Sequence, residues 1–196
     1  MPFARIGDSS AVGYPVIFVP CGAGKMAEAI AIPVADKRWW GPRIWRILHC
    51  LAEISDRRDC AAGWRPVLLE TAQMLPCDLC REHFIGAIRS LRLPGPETGK
   101  SPREAVRHML WGTHAARGGT LPEEGLTAEY GYGGDRGAVV SEVRRLVDEV
   151  GGAFRREHVL DRFRTGHLEA WVRAVGQLAG LLANPEMIGS VGRRRR

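Results

Sequence analysis

Cys77-Asp78-Leu79-Cys80 is the stretch of this chain with the most chemistry to offer. Two thiols three residues apart close to a disulfide with little backbone movement, so the pair can take electrons from one partner and pass them to another. Pro76, just before it, restricts the direction of the incoming chain. If a helix starts there, unpaired backbone N–H groups and the positive end of the helix dipole lie beside the sulfurs and favour thiolate over thiol. A metal reading stands next to the redox one, because Cys77, Cys80 and His83 are spaced as ligands and Cys50 or Cys60 can supply a fourth. A pair of buried, unreactive thiols is the third. The five cysteines, the fifth being Cys21, are an odd number in 196 residues, which argues against the dense disulfide framework of small secreted domains.

Trp45 and His49 are four residues apart, so a helix projects them from one side, a turn from each other. Taken singly, Trp40, Trp45, His49 and His114 read as core residues. Their joint occurrence with the cysteine pair makes them candidates for a site.

The elements that must position these residues are helices. From Arg38 onward Trp40, Ile44, Ile47, Leu48, Leu51 and Ile54 recur at spacings of three and four, with Gly41-Pro42 at the helix start. Trp64, Val67, Leu68, Ala72 and Leu75 predict a second helix ending at Pro76, and a third begins at Cys77 with Cys80, Phe84, Ala87 and Ile88 on one face. Ser101-Pro102-Arg103-Glu104 is a capping box that opens a fourth helix through Val106, Met109, Leu110 and His114. Residues 122–137 read as a Gly- and Tyr-rich connector. Further helices are expected around Val139–Val150, Phe154–Phe163 and His167–Ala183. The fold class is all-α, a four-helix bundle-like core over residues 37–121. Before it stands an arm, residues 1–36, and after it a linker and helical extension, residues 122–196.

Composition narrows the function classes. Hydrophobic residues are 45% and charged residues 26%, enough for a packed core and unlike a disordered chain. The net charge of +6 owes four positive charges to Arg193–Arg196; without them 24 basic side chains face 22 acidic ones. A basic tail on a nearly neutral body is a poor nucleic-acid surface, because phosphate binding needs several cations along one face. No stretch reaches the length of a membrane span and no secretory leader is visible, so the expectation is a cytoplasmic protein without a signal peptide. Pro20-Cys21-Gly22-Ala23-Gly24-Lys25 follows an apolar run as a phosphate loop would. It lacks the earlier glycine and the hydroxyl after the lysine, where Val19 and Met26 stand.

Trp40-Gly41-Pro42-Arg43-Ile44-Trp45-Arg46-Ile47-Leu48-His49, followed by Leu75-Pro76-Cys77-Asp78-Leu79-Cys80-Arg81-Glu82-His83-Phe84, resembles the FAD-linked sulfhydryl oxidases of the Erv/ALR family, most of all those of large DNA viruses. The resemblance covers residues 38–121. It implies a helical bundle holding FAD, usually as a homodimer, that turns protein dithiols into disulfides and oxygen into hydrogen peroxide. Cys77 is then the interchange thiol and Cys80 the thiol nearest the flavin. Trp40, Gly41, Trp45, His49, His83, His114 and Arg117 are the implied cofactor-binding set, with no metal. Where the family has His-Asn-x-x-Asn, this chain has His114-Ala115-Ala116-Arg117-Gly118, so the asparagines' hydrogen bonds must come from Arg117 or the backbone. Tyr130 or Tyr132 can occupy the far side of the cofactor. Cys21, alone or with Cys60, is the candidate shuttle. The alternatives are a relative that has lost FAD and serves as a scaffold, and a zinc-stabilised helical adaptor.

Overall fold

The computed structural model describes residues 32–94, 101–115, 122 and 125–183, which are helices and connecting turns with no strand among them. Cys21 with its arm, Arg117 and the arginine tail lie outside the described residues. The helices are α1 (Lys37–Glu53), α2 (Ala61–Met74), α3 (Asp78–Ser90), α4 (Arg103–Ala115), α5 (Leu126–Tyr130), α6 (Arg136–Arg156) and α7 (Arg162–Ala183). The expected all-α class is what the described residues adopt. None of the described helices is long and apolar enough to cross a membrane.

Asp36 caps α1, its carboxylate accepting the Arg38 N–H at 2.8 Å. Pro42 lies inside this helix rather than at its start. An interior proline costs about 3 kcal/mol. Burial of Trp40, Ile44, Ile47, Leu48 and Leu51, at about 2 kcal/mol each, exceeds that cost. At the end of α2, Pro76 disfavours helical backbone at the residue before it, and Leu75 is extended at φ −60°, ψ 128°. The chain therefore leaves α2 and restarts as α3 at the cysteine pair.

Two expectations from the sequence are corrected. Val139–Val150 and Phe154 belong to one helix, α6, which runs through Gly151-Gly152 to Arg156. A Cβ at Gly151 would make ordinary contact with Val172 of α7 at 3.6 Å, so packing does not require glycine there. The break comes later, at His158, whose φ is +48°. The stretch 122–137 is more than a connector, because it holds α5 and a 3-10 turn, Tyr132–Gly134, where Gly133 and Gly134 have φ of +64° and +88°.

α6 and α7, placed in the extension by the sequence reading, share one hydrophobic core with α1 and α2. Two buried tryptophans tie that core together through hydroxyl groups. Trp64 Nε1 donates to Ser55 Oγ at 2.9 Å, and Ser55 Oγ donates to Leu51 O at 2.7 Å. Trp171 Nε1 of α7 donates to Thr71 Oγ1 of α2 at 3.0 Å, and Thr71 Oγ1 donates to Val67 O at 2.7 Å. Each indole N–H thus enters the interior with a partner, which a buried donor requires. α4 and α5 also pack on α1, where the candidate site lies.

Candidate functional site

Cys77 is the N-cap of α3, with extended backbone at φ −109°, ψ 111°. Its sulfur accepts the Cys80 N–H at 3.2 Å. The two cysteines are joined as a disulfide, their Cα atoms 5.2 Å apart. Both are half-buried, and Leu79 between them is exposed. The helix start expected from Pro76 is therefore present, one residue later than predicted, with a sulfur as its cap.

One turn beyond Cys80, Phe84 is buried and meets Trp45 of α1 edge-on, ring centroids 5.9 Å apart. Trp45 in turn stacks on His114 of α4 at 4.9 Å with planes 3° from parallel. His49, the next turn of α1, lies 6.0 Å from Trp45 and 5.8 Å from His114, and it stacks on Tyr130 of α5 at 4.8 Å. Four helices thus bring five aromatic rings together a turn away from the disulfide.

His49 is 1% exposed, and neither ring nitrogen has a hydrogen-bond partner. Burial, with His114 and Arg107 adding to it, pushes its pKa down to about 3, so the imidazole is neutral. Burial lowers His114 as well.

Charged pairs hold the surrounding helices in place. The buried Glu53 carboxylate of α1 accepts from Arg103 at 2.8 Å and from Thr127 Oγ1 at 2.9 Å, and lies 3.2 Å from Arg107 Nε. Arg46 reaches Glu129 at 3.1 Å, Glu142 at 3.0 Å and Tyr132 Oη at 2.6 Å, with its guanidinium 5.8 Å from the Tyr130 ring. These contacts join α4, α5 and α6 to α1 around the aromatic cluster. On the other side of the disulfide, Arg164 of α7 donates to Pro76 O at 3.3 Å and pairs with Asp78.

Of the residues singled out from sequence, Cys77, Cys80, Trp45, His49 and His114 fall in this one region. Trp40 does not join the cluster; it is buried at the start of α1 with Nε1 on Ala35 O at 3.3 Å. Gly41 adjoins nothing that a Cβ would touch, so no close approach requires it. His83 is exposed on α3. Cys60 is buried, donating to Arg57 O at 2.8 Å, and burial raises its thiol pKa, which is the wrong environment for a shuttle. Cys50 is also buried, its pKa pushed up to about 12. Cys77 and Cys80 are bonded to each other, and among the described residues no group of three or more His, Cys, Asp and Glu side chains comes together.

Tyr130 was named from sequence without a motif to support it, and it is the tyrosine that faces His49. Glu53 and Arg164 carried no sequence signal, since each finds its partners far along the chain. A cleft of about 410 Å³ between α3 and α4, lined by Ala87, Leu91, His108 and Met109, contains none of the candidate residues.

Comparison of the chain with protein-family profiles, with curated proteins and with solved structures finds no match.

Proposed function

We propose that the chain is an FAD-linked thiol oxidase of the Erv/ALR kind, forming disulfides in protein substrates while oxygen is reduced to hydrogen peroxide. The observation that carries this reading is the position of the Cys77–Cys80 disulfide, one helical turn from Phe84 and the Trp45–His114 stack. The residues suit a planar aromatic group. Trp45 and His114 stack on each other and Tyr130 stacks on His49, so the cluster already holds planar rings face to face. His49 has two unpaired ring nitrogens in a dry interior, where an unmet polar group costs about 1–3 kcal/mol. FAD would be held by Trp45, His49, His114 and Tyr130, and would supply acceptance of an electron pair and its delivery to oxygen.

The chain's own part is thiol exchange. A client thiolate attacks Cys77 Sγ, forming a mixed disulfide and releasing Cys80 as a thiolate. The client's second thiol then attacks its own bonded sulfur. The client departs as a disulfide, and two electrons and two protons remain on Cys77 and Cys80. At the N-cap, the Cys80 N–H and the helix dipole favour a Cys77 thiolate, which makes Cys77 a good leaving group in the second exchange. Neutral His49 adds no positive charge to the interior beside this step. Homodimerisation and a cytoplasmic setting belong to the proposal on the strength of the family resemblance alone.

The test is oxygen uptake driven by a small dithiol. Cys77→Ser and Cys80→Ser should each lower turnover at least about a hundredfold, since the disulfide cannot form in either. Wild-type turnover in either variant contradicts the reading.

A second reading, a relative that keeps the fold without flavin and serves as a scaffold, draws on a specific observation. Trp45 and His114 are in ring-to-ring contact at 4.9 Å, which leaves no slot between those two faces. A preparation that stays colourless after incubation with FAD would favour it.

A further inference from the structure

We infer that Arg164 of α7 is a positioning residue that sets how readily the Cys77–Cys80 disulfide is reduced, by neutralising the Asp78 carboxylate between the two cysteines. The inference rests on the redox reading of that pair. Asp78 occupies the first turn of α3, directly after Cys77. Its negative charge suits the helix dipole but opposes the Cys77 thiolate that reduction creates at the same helix end. Arg164 answers that charge from 86 positions along the chain. Its side chain is only 17% exposed, and its guanidinium binds the residues on both sides of Cys77: the carbonyl of Pro76 at 3.3 Å and the carboxylate of Asp78. A planar fork with several donors can hold both at once, which a lysine ammonium on its flexible stem cannot do with the same geometry.

The other charged groups in this neighbourhood can be named from each element. On α3 itself, Arg81 lies 3.3 Å from Asp78. Ahead of α7, Asp161 lies 3.8 Å from Arg164. One turn along α7, His167 pairs with Glu70 of α2 at 2.7 Å. Arg81 shares the work of compensating Asp78, so removing Arg164 weakens the compensation without abolishing it. α7 therefore both completes the core and reaches the reactive turn.

The experiment equilibrates the full-length protein with mixtures of glutathione and glutathione disulfide, quenches with acid and counts alkylated thiols. The reaction is one Cys77–Cys80 disulfide plus two glutathiones giving the dithiol plus one glutathione disulfide, so electrons and protons balance. Arg164→Met should lower the reduction equilibrium constant about two- to fivefold, the scale of one partly exposed charge pair. Asp78→Asn should raise it. Arg164→Met made in the Asp78→Asn background should bring it back towards the wild-type value, because the two charges act on the Cys77 thiolate with opposite sign. Arg164→Lys, which keeps the charge and loses the fork, should fall between wild type and Arg164→Met. Equal constants for wild type and Arg164→Met, or a higher constant in Arg164→Met, overturn the inference while leaving the redox reading intact. A wild-type disulfide that no glutathione mixture reduces sinks both.

Discussion

Trp45 and His114 face each other in parallel across the seam between α1 and α4, centroids 4.9 Å apart. Such a stack contributes about 0.5–1.5 kcal/mol beyond the area it buries. It also fixes where the aromatic cluster lies relative to the cysteine pair, because Phe84 on the cysteine-bearing helix meets the same indole.

Trp45→Ala and Tyr130→Ala, if these rings hold the flavin, should each weaken FAD retention about two- to tenfold, the value of one aromatic contact of this kind. Gel filtration of the reconstituted variants, with bound flavin read per chain, checks this. Full retention in both would remove the cluster from the binding site.

The buried, neutral His49 makes stability depend on pH. Its pKa is about 3 in the folded chain against an ordinary 6.5, so below 6.5 the unfolded chain takes a proton that the folded chain does not. Stability from this group is therefore complete above pH 6.5 and falls as the pH drops towards 3. The loss is up to about 1.4 kcal/mol per pH unit. His114 acts in the same direction. Glu142 and Glu169, whose pKa values their arginine partners lower, add their losses further into acid, below about 4.5. Urea unfolding at about pH 7 and about pH 5 should show wild type losing roughly 2 kcal/mol more than His49→Phe. Equal losses would mean that His49 takes up its proton in the folded chain.

Glu53 has the greatest structural leverage among the charged residues of the site. Its carboxylate is 1% exposed and serves Arg103, Arg107 and Thr127 together. Glu53→Ala takes the buried carboxylate away from Arg103 and Arg107 and leaves a cavity, and a cost of about 3 kcal/mol is expected. Denaturant unfolding measures it directly; a change under about 0.5 kcal/mol would show that water and rearrangement replace the carboxylate.

Helix existence and the cysteine pair were legible because both are local. The three- and four-residue spacing of Ile44, Ile47, Leu48 and Leu51 states a buried face, and Pro76 before Cys77 states a helix boundary. Which faces meet is not local. The apolar stripe of α7 reads equally well as an extension or as a core helix, and only the fold places Trp171 on Thr71, 100 residues earlier. Val139–Val150 and Phe154–Phe163 read as separate helices, yet α6 runs unbroken through Gly151-Gly152 because Val150, Gly151, Ala153 and Phe154 are buried on one helix. Trp40 and His83 show the opposite limit, since the resemblance put them at the cofactor and the fold puts one at the start of α1 and the other on an exposed face.

The shared core makes its own prediction. Trp171 is fully buried and its N–H is satisfied by Thr71, so Trp171→Ala removes a large apolar side chain together with that hydrogen bond. A loss of about 3–5 kcal/mol is expected. Thermal unfolding followed by circular dichroism would reveal it. If residues 122–196 were an appended extension, the melting of the remaining helices would stay at its wild-type temperature.

The flavin claim is tested most directly by the visible absorption spectrum of the purified, FAD-incubated protein, taken before and after unfolding. About one flavin per chain, bound when folded and released on unfolding, is the result predicted for a thiol oxidase built on Cys77, Cys80 and the Trp45–His49–His114 cluster. A colourless protein that takes up no FAD would contradict it.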